Sequence, residues 1–304
     1  MRVFLAGATG VVGNALVPQL LDAGHDVTAM TRSVLRASRL EAVGAHPVVC
    51  DAFDADGVQA AMAAARPEAV IHQLTALPTR IDWADPATFD ANNRVRIEGT
   101  RNLVDAALAT GARRIVAQSI AFAYAPTGDF VKEEDAALFT EAPPPIGAGV
   151  AAVAELEQRV TGTEGIEGVV LRYGMLYGPG TYHDRRGATA ADVLAGRIPL
   201  VADAPGMYSW LHVEDAASAA VAALERGAPG IYNIADDEPA PQPEWLPVLA
   251  EALRAGPPPA AEEPPPPYVP EMSLRAASNA KARRELGWTP RYPSWREGFA
   301  ASLA

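Results

Sequence analysis

Short apolar runs recur through the first half of the chain: Val3 to Ala6, Val27 to Met30, Pro47 to Cys50, Ala69 to Leu74, Arg114 to Gln118 and, further on, Gly168 to Tyr173. Each is too short for a helix and largely apolar throughout, the pattern of a strand buried on both faces. Between them lie helix-length segments, so the order is strand, helix, strand, repeated. That alternation predicts a parallel sheet covered by helices on both sides, an α/β fold. After Gln118 the pattern loosens. Pro143, Pro144 and Pro145 precede an alanine-rich segment that predicts a helix from about Ala148 to Val160. From Gly174 onward the elements shorten, which divides the chain into residues 1–172 and residues 173–304, with some later segments returning to the first part. Residues 256–270 hold eight prolines and predict an extended connection or lid, because proline neither continues a helix nor donates to a ladder.

Gly7-Ala8-Thr9-Gly10-Val11-Val12-Gly13 stands between the first predicted strand and a helix running to about Ala23. Glycines at this spacing permit a tight turn and let the backbone approach a pyrophosphate, while the helix N-terminus offers free N–H groups. The context predicts a dinucleotide-binding Rossmann domain over 1–172, leaving 173–304 mainly to bind substrate. At the end of the second strand an acidic residue would hold the adenosine ribose of NAD. The chain reads Met30-Thr31-Arg32-Ser33 there, with Arg36 and Arg39 following. A basic cluster without a carboxylate predicts NADP, with NAD as the alternative and a solvated arginine face as the plainer explanation. Asp51, followed by Ala52 after the third strand, is placed to accept from the adenine amino group or to serve as a surface charge.

A net charge of −12 excludes a nucleic-acid partner, which needs a basic surface, and points to a small-molecule substrate. Cys50 is the single cysteine, so neither an internal disulfide nor a cysteine zinc site can form, and a reducing cytoplasm fits. No signal peptide is visible at the N-terminus. No apolar run approaches the roughly 20 residues of a membrane span.

Several further blocks stand in order: Gly99-Thr100-Arg101-Asn102-Leu103, Leu171-Arg172-Tyr173-Gly174-Met175-Leu176-Tyr177-Gly178-Pro179-Gly180, Leu211-His212-Val213-Glu214-Asp215-Ala216, Gly230-Ile231-Tyr232-Asn233 and Glu285-Leu286-Gly287-Trp288-Thr289-Pro290. With the glycine motif they resemble the extended short-chain dehydrogenase/reductase superfamily, in its NAD-dependent epimerase/dehydratase group, nearly end to end. The resemblance implies that Leu74, Thr75 and Ala76 line the cofactor, that Tyr173 to Met175 lie near the nicotinamide, and that helices around Asn93 to Thr110 and Ala148 to Val160 pair in a homodimer.

It also implies a tyrosine, a lysine four residues later, and a serine or threonine that together handle the proton. If Glu155 is the glutamate that often follows this pair, the two positions are Gly147 and Ala151, and the hydroxyl position falls on Ile120, next to Ser119. No tyrosine in the chain is followed four residues later by lysine. The candidates for a replacement acid or base are Ser119 and Tyr124, after the fifth strand, and His183 in a later loop. Arg185 and Arg186 are candidates to neutralise an anionic substrate, and Tyr208 and Trp210 to wall a pocket or pack the smaller part. His212 and Asp215 read as structural. Three functions stay open: NADP-dependent hydride transfer or epimerisation on a specialised metabolite or sugar by an unusual route, a non-redox isomerase, lyase or cyclase, and a non-catalytic NADP sensor.

Overall fold

The computed structural model describes residues 1–202, 204–262 and 274–303. The chain opens with β1 (Arg2–Ala6), α1 (Val11–Asp22), β2 (Asp26–Thr31), α2 (Val34–Ala42), β3 (His46–Val49), α3 (Ala55–Ala65) and β4 (Ala69–His72). Then α4 (Asp90–Arg94) runs through a π turn at Val95–Gly99 into α5 (Thr100–Thr110), and β5 (Arg114–Ile120) follows. Next come β6 (Val131–Lys132), α6 (Ile146–Gly162), β7 (Glu167–Tyr173), β8 (Met175–Tyr177), α7 (Ala188–Leu194), β9 (Met207–Tyr208) and β10 (Trp210–His212). The last described elements are α8 (Val213–Glu225), β11 (Gly230–Ile234), β12 (Ala240–Pro241), α9 (Gln242–Ala252), β13 (Ala276–Ala277), a π turn at Ala282–Leu286 and α10 (Trp295–Leu303).

Seven strands form one parallel sheet in the order β11-β7-β5-β4-β1-β2-β3. The apolar runs demand this arrangement because consecutive side chains of a strand face opposite layers. Leu5 packs with Leu16 of α1 and Ala216 of α8, whereas Phe4 packs with Met62 of α3 and Leu103 of α5, and both are fully buried. Strand order reverses between β1 and β4. In open α/β sheets the crevice at the carboxyl ends of such strands is where ligands bind.

The later residues do not stay apart from this sheet. β11 pairs with β7 along its edge, and α8 packs on α1. The helix after the three prolines begins at Ile146, two residues earlier than its alanine run suggests, since the Ile146 N–H finds the Pro143 carbonyl at 3.0 Å. Residues 256–262 are extended, and Ala260 bridges Leu200; the prolines from Pro264 to Pro270 lie outside the described residues.

A third core holds the smaller part together. Trp210 meets Trp245 and Phe299 edge-on, each with ring centroids 5.0 Å apart, and Tyr208 stacks on it at 5.9 Å. Tyr208 and Trp210 therefore pack this core. Asp236 sits nearby, 4% exposed; it accepts from the Glu238 N–H through one carboxylate oxygen, and the other has no partner. Burial pushes its pKa from 3.8 up to about 8, against the pull of backbone donors. A raised carboxyl pKa means that the folded state resists ionisation, so stability falls as pH rises between those two values. Asp236→Asn is expected to stabilise the protein by on the order of 1–3 kcal/mol at pH 8 and far less at pH 5. Urea unfolding at both pH values checks this, and an equal change at both would contradict it.

Candidate active site

The glycine loop is shaped by its own backbone. Gly7 has φ +93°, and a Cβ there would stand 2.5 Å from the Gln73 carbonyl oxygen at the end of the neighbouring strand. A Cβ on Gly13 would fall 2.2 Å from the Gly7 carbonyl oxygen. The turn can thus close against the start of α1 only with glycine at both places. Gly10 precedes the helix without a side-chain cap, and Val11 and Val12 open its first turn, so its leading N–H groups face the crevice free for an anion. This cradle fits a dinucleotide pyrophosphate.

Beyond β2, the Thr31 hydroxyl accepts from the Ser33 N–H and lies 3.5 Å from the Thr9 hydroxyl, tying the loop to the strand end. Ser33 caps α2 by accepting from the Arg36 N–H. Arg32 and Arg36 are exposed, and among the described residues neither guanidinium has a carboxylate partner. Asp51 folds back on the Phe53 N–H at 3.0 Å, leaving its second oxygen outward, and the Ala52 carbonyl accepts from Asn102 of α5. Two cations and no acid at the ribose end suit a 2′-phosphate.

Leu74, Thr75 and Ala76 follow β4 across the crevice from the glycine loop. Asn92 of α4 fixes this segment by accepting from the Ala76 N–H at 2.9 Å. Tyr173 is buried below it, accepting from Gln73 at 3.1 Å and donating to the Ala216 carbonyl at 3.2 Å; burial raises its phenol pKa, so it stays neutral. Met175, only partly buried, begins the short strand paired with Trp210.

Ser119 and Tyr124 meet in one buried polar network. Arg172 of β7 donates to both oxygens of Glu157, Nε to Oε1 at 2.8 Å and Nη2 to Oε2 at 2.6 Å, with side chains 4% and 5% exposed. Ser119 donates to Glu157 at 2.7 Å. Arg172 also donates to the Tyr124 hydroxyl at 2.8 Å, which in turn donates to Asn233 at 2.6 Å. Burial works against the Arg172 charge, but its bonds to Glu157 and Tyr124 hold its pKa above the usual value. Burial likewise raises the Tyr124 phenol, opposed by Arg172.

Glu157, not Glu155, is the acid that α6 turns toward the sheet; Glu155 is exposed. Stepping back four and eight residues along that face gives Val153 and Gly149 in place of Ala151 and Gly147. The difference arises because sequence spacing alone cannot tell which of two glutamates faces inward. Either way α6 carries neither tyrosine nor lysine. Gly147 could not accept a larger residue in any case, as its Cβ would lie 2.1 Å from the Ala142 carbonyl oxygen.

His183 is buried against Trp210, with ring centroids 4.9 Å apart. Its Nδ1 lies 2.9 Å from the Leu176 carbonyl, so Nδ1 must carry the proton and Nε2 a lone pair. Burial lowers its pKa to about 4 despite that bond, so the ring is neutral near pH 7. Arg185 is engaged elsewhere, donating to the Leu303 carbonyl at the end of α10. His212 caps α8 by accepting from the Glu214 N–H, and Asp215 accepts from the Arg291 and Tyr292 N–H groups, both structural roles. Among the described residues no group of histidines, cysteines and acids is placed to hold a metal, and no helix is long and apolar enough to cross a membrane.

The chain is 49% identical over 98% of its length to the 3-diazoavenalumate denitrifying reductase of a Streptomyces species, covering 99% of that protein. It is 26% identical to the 2-alkyl-3-oxoalkanoate reductase of Stenotrophomonas maltophilia over 84% of this chain and 76% of that one. Among solved structures, the UDP-glucose 4-epimerase of Thermus thermophilus in complex with NAD superposes with a TM-score of 0.76 at 26% identity, covering 100% of this chain and 98% of that one. The UDP-glucose 4-epimerase of Thermotoga maritima gives a TM-score of 0.80 at 21% identity over 100% and 97% of the two chains, a likeness of fold. With residues 3–235 matching its family model, the chain belongs to the NAD-dependent epimerase/dehydratase family, a family of nicotinamide-dependent oxidoreductases and epimerases on a Rossmann-like fold.

Proposed function

We propose that this protein is an NADP-dependent reductase that replaces the diazo group of a small carboxylate with hydrogen and releases dinitrogen. The observation that carries this reading is the α6 helix without tyrosine or lysine. Reducing a carbonyl leaves an alkoxide that must take a proton, and a positioned acid supplies about 10²- to 10⁴-fold in rate. A diazonium carbon makes no such demand. When bound, the reduced nicotinamide supplies a hydride, so that a C–H bond forms as the C–N bond breaks, the C–N electron pair departs in N2, and charge balances without a proton. The chemistry of the relative at 49% identity, a denitrifying reductase acting on a diazo compound by its name, supports the same choice.

The residues then divide the work. The Gly7 to Gly13 loop holds the pyrophosphate, and Arg32 with Arg36 holds the 2′-phosphate. Asp51 and Ala52 border the adenine, while Leu74, Thr75, Ala76, Tyr173 and Met175 wall the nicotinamide end. Ser119 and Tyr124 keep the Glu157–Arg172 pair in place, and His183 stays neutral, so none of the three has to move a proton.

The test uses NADPH carrying deuterium at its transferable position, with 3-diazoniocinnamate as substrate and a protein-free control for spontaneous reduction. The expected product is cinnamate with one deuterium from the cofactor and none from D2O, with one N2 per cofactor oxidised. Turnover should be at least about 10-fold better with NADPH than with NADH, a gap that Arg32→Ala closes. Product deuterated from the solvent, or no N2 above the control, would overturn the denitrifying step. Equal use of both cofactors by the unaltered protein would overturn the NADP assignment.

A further inference from the structure

The π turn between α4 and α5 carries an arginine whose charge nothing nearby neutralises. Arg96 donates to the Gly149 carbonyl of α6 at 3.2 Å, its single hydrogen-bond partner, and no carboxylate lies within 4.0 Å of it among the described residues. Glu157 is in its field, but both oxygens of that carboxylate are already taken by Arg172. Burial lowers the Arg96 pKa to about 10, so the guanidinium bears a desolvation cost without an ion pair to offset it. Such a cation is expensive to keep unless something arrives to pair with it.

A second observation marks the same place. The Asn93 side-chain oxygen is buried without any partner, as is the Asn92 side-chain nitrogen, although the other end of the Asn92 amide holds Ala76. A Cβ added to Gly149 would sit 3.8 Å from the Asn93 oxygen and 3.9 Å from Arg96 Nη1, ordinary contact distances. Gly149 thus leaves open a side-chain-sized recess flanked by an amide and a guanidinium. Since an amide can present either its oxygen or its nitrogen, Asn93 can donate as well as accept there. The recess adjoins the Ala76 segment at the carboxyl edge of the sheet, and π turns concentrate at functional positions.

We propose that Arg96, with Asn93 beside it, binds the carboxylate of the substrate in the recess over Gly149 and so selects anionic substrates. This rests on the reading of the substrate as a small carboxylate. A guanidinium presents a planar fork that matches a carboxylate, and the low-polarity surroundings strengthen the contact. Arg96 is then a specificity-determining residue that takes no part in bond making.

The test is a calorimetric titration of the protein saturated with oxidised cofactor, which cannot turn over. Cinnamate is compared with cinnamamide, its neutral counterpart of the same shape. The unaltered protein should bind cinnamate about 10-fold or more tightly than cinnamamide. Arg96→Met should abolish the gap, and Arg96→Lys should keep part of it. Gly149→Leu, which fills the recess and leaves Arg96 in place, should weaken both ligands alike and serves if Arg96→Met fails to fold. Equal binding of the two ligands by the unaltered protein, or a gap that survives Arg96→Met, would overturn the proposal. If the gap depends on Arg96 but no N2 is released from 3-diazoniocinnamate, the recess stands and the denitrifying reading falls. If N2 is released without any gap, the recess alone falls.

Discussion

Arg172→Met is expected to lower the free energy of unfolding by about 3–5 kcal/mol, because it strands the buried Glu157 carboxylate without its counter-charge. Ser119 would remain as a donor to Glu157, but one hydroxyl cannot replace a two-point guanidinium contact. Tyr124 would also lose the donor that its hydroxyl accepts from. Replacing Glu157 and Arg172 together, as Glu157→Leu with Arg172→Met, removes both charges and should recover much of the loss, since breaking a buried pair costs more than deleting it. Urea unfolding of the two single variants and the double variant measures this. A double variant as unstable as the sum of the single ones would mean that the network is not energetically coupled.

Gly13→Val should weaken dinucleotide binding by about 100-fold or more, the second large effect. The added Cβ would stand 2.2 Å from the Gly7 carbonyl oxygen and within 2.7 Å of the Ala8 backbone. Neither neighbour is a flexible side-chain tip, so the loop itself must move, and the N–H groups at the start of α1 lose their alignment. Titration with NADPH, beside a thermal melt of the ligand-free protein, separates a distorted cradle from an unfolded one. Binding within a few-fold of the unaltered protein would show that the loop relaxes without cost.

These two sites differ in how visible they are along the chain. The glycine cradle is local: its parts lie within seven consecutive residues after an apolar strand, and the steric need for small residues is written into their spacing. The buried network is not. Its members come from β5, the loop after it, α6, β7 and β11, and spacing within α6 alone selects Glu155 as readily as Glu157. Only packing against β5 and β7 shows which glutamate turns inward.

Arg96 illustrates the same limit more sharply. In the sequence it is one of several arginines around Asn93 to Arg101, with no motif to distinguish it from a solvated charge. Its desolvation, its single backbone partner and the orphaned Asn93 amide exist only because the π turn brings α4 against Gly149. A signal was present, since a charged residue followed Val95 in a stretch that returns to apolar Leu103 and Val104, but its meaning depends on which face the π turn presents.

The sequence by itself determined the parallel α/β sheet, the dinucleotide cradle, the basic ribose end, the family and the absence of a tyrosine–lysine pair. Each of these rests on residues close together in the chain, where strand periodicity, glycine sterics and fixed spacing act directly. The tertiary structure alone decided that Ser119 and Tyr124 serve an ion-pair network, that His183 is held neutral, that Tyr208 and Trp210 pack a core, and that Arg96 faces an open recess. Those outcomes depend on desolvation and on partners drawn from distant segments, which become neighbours only when the helices close over the sheet.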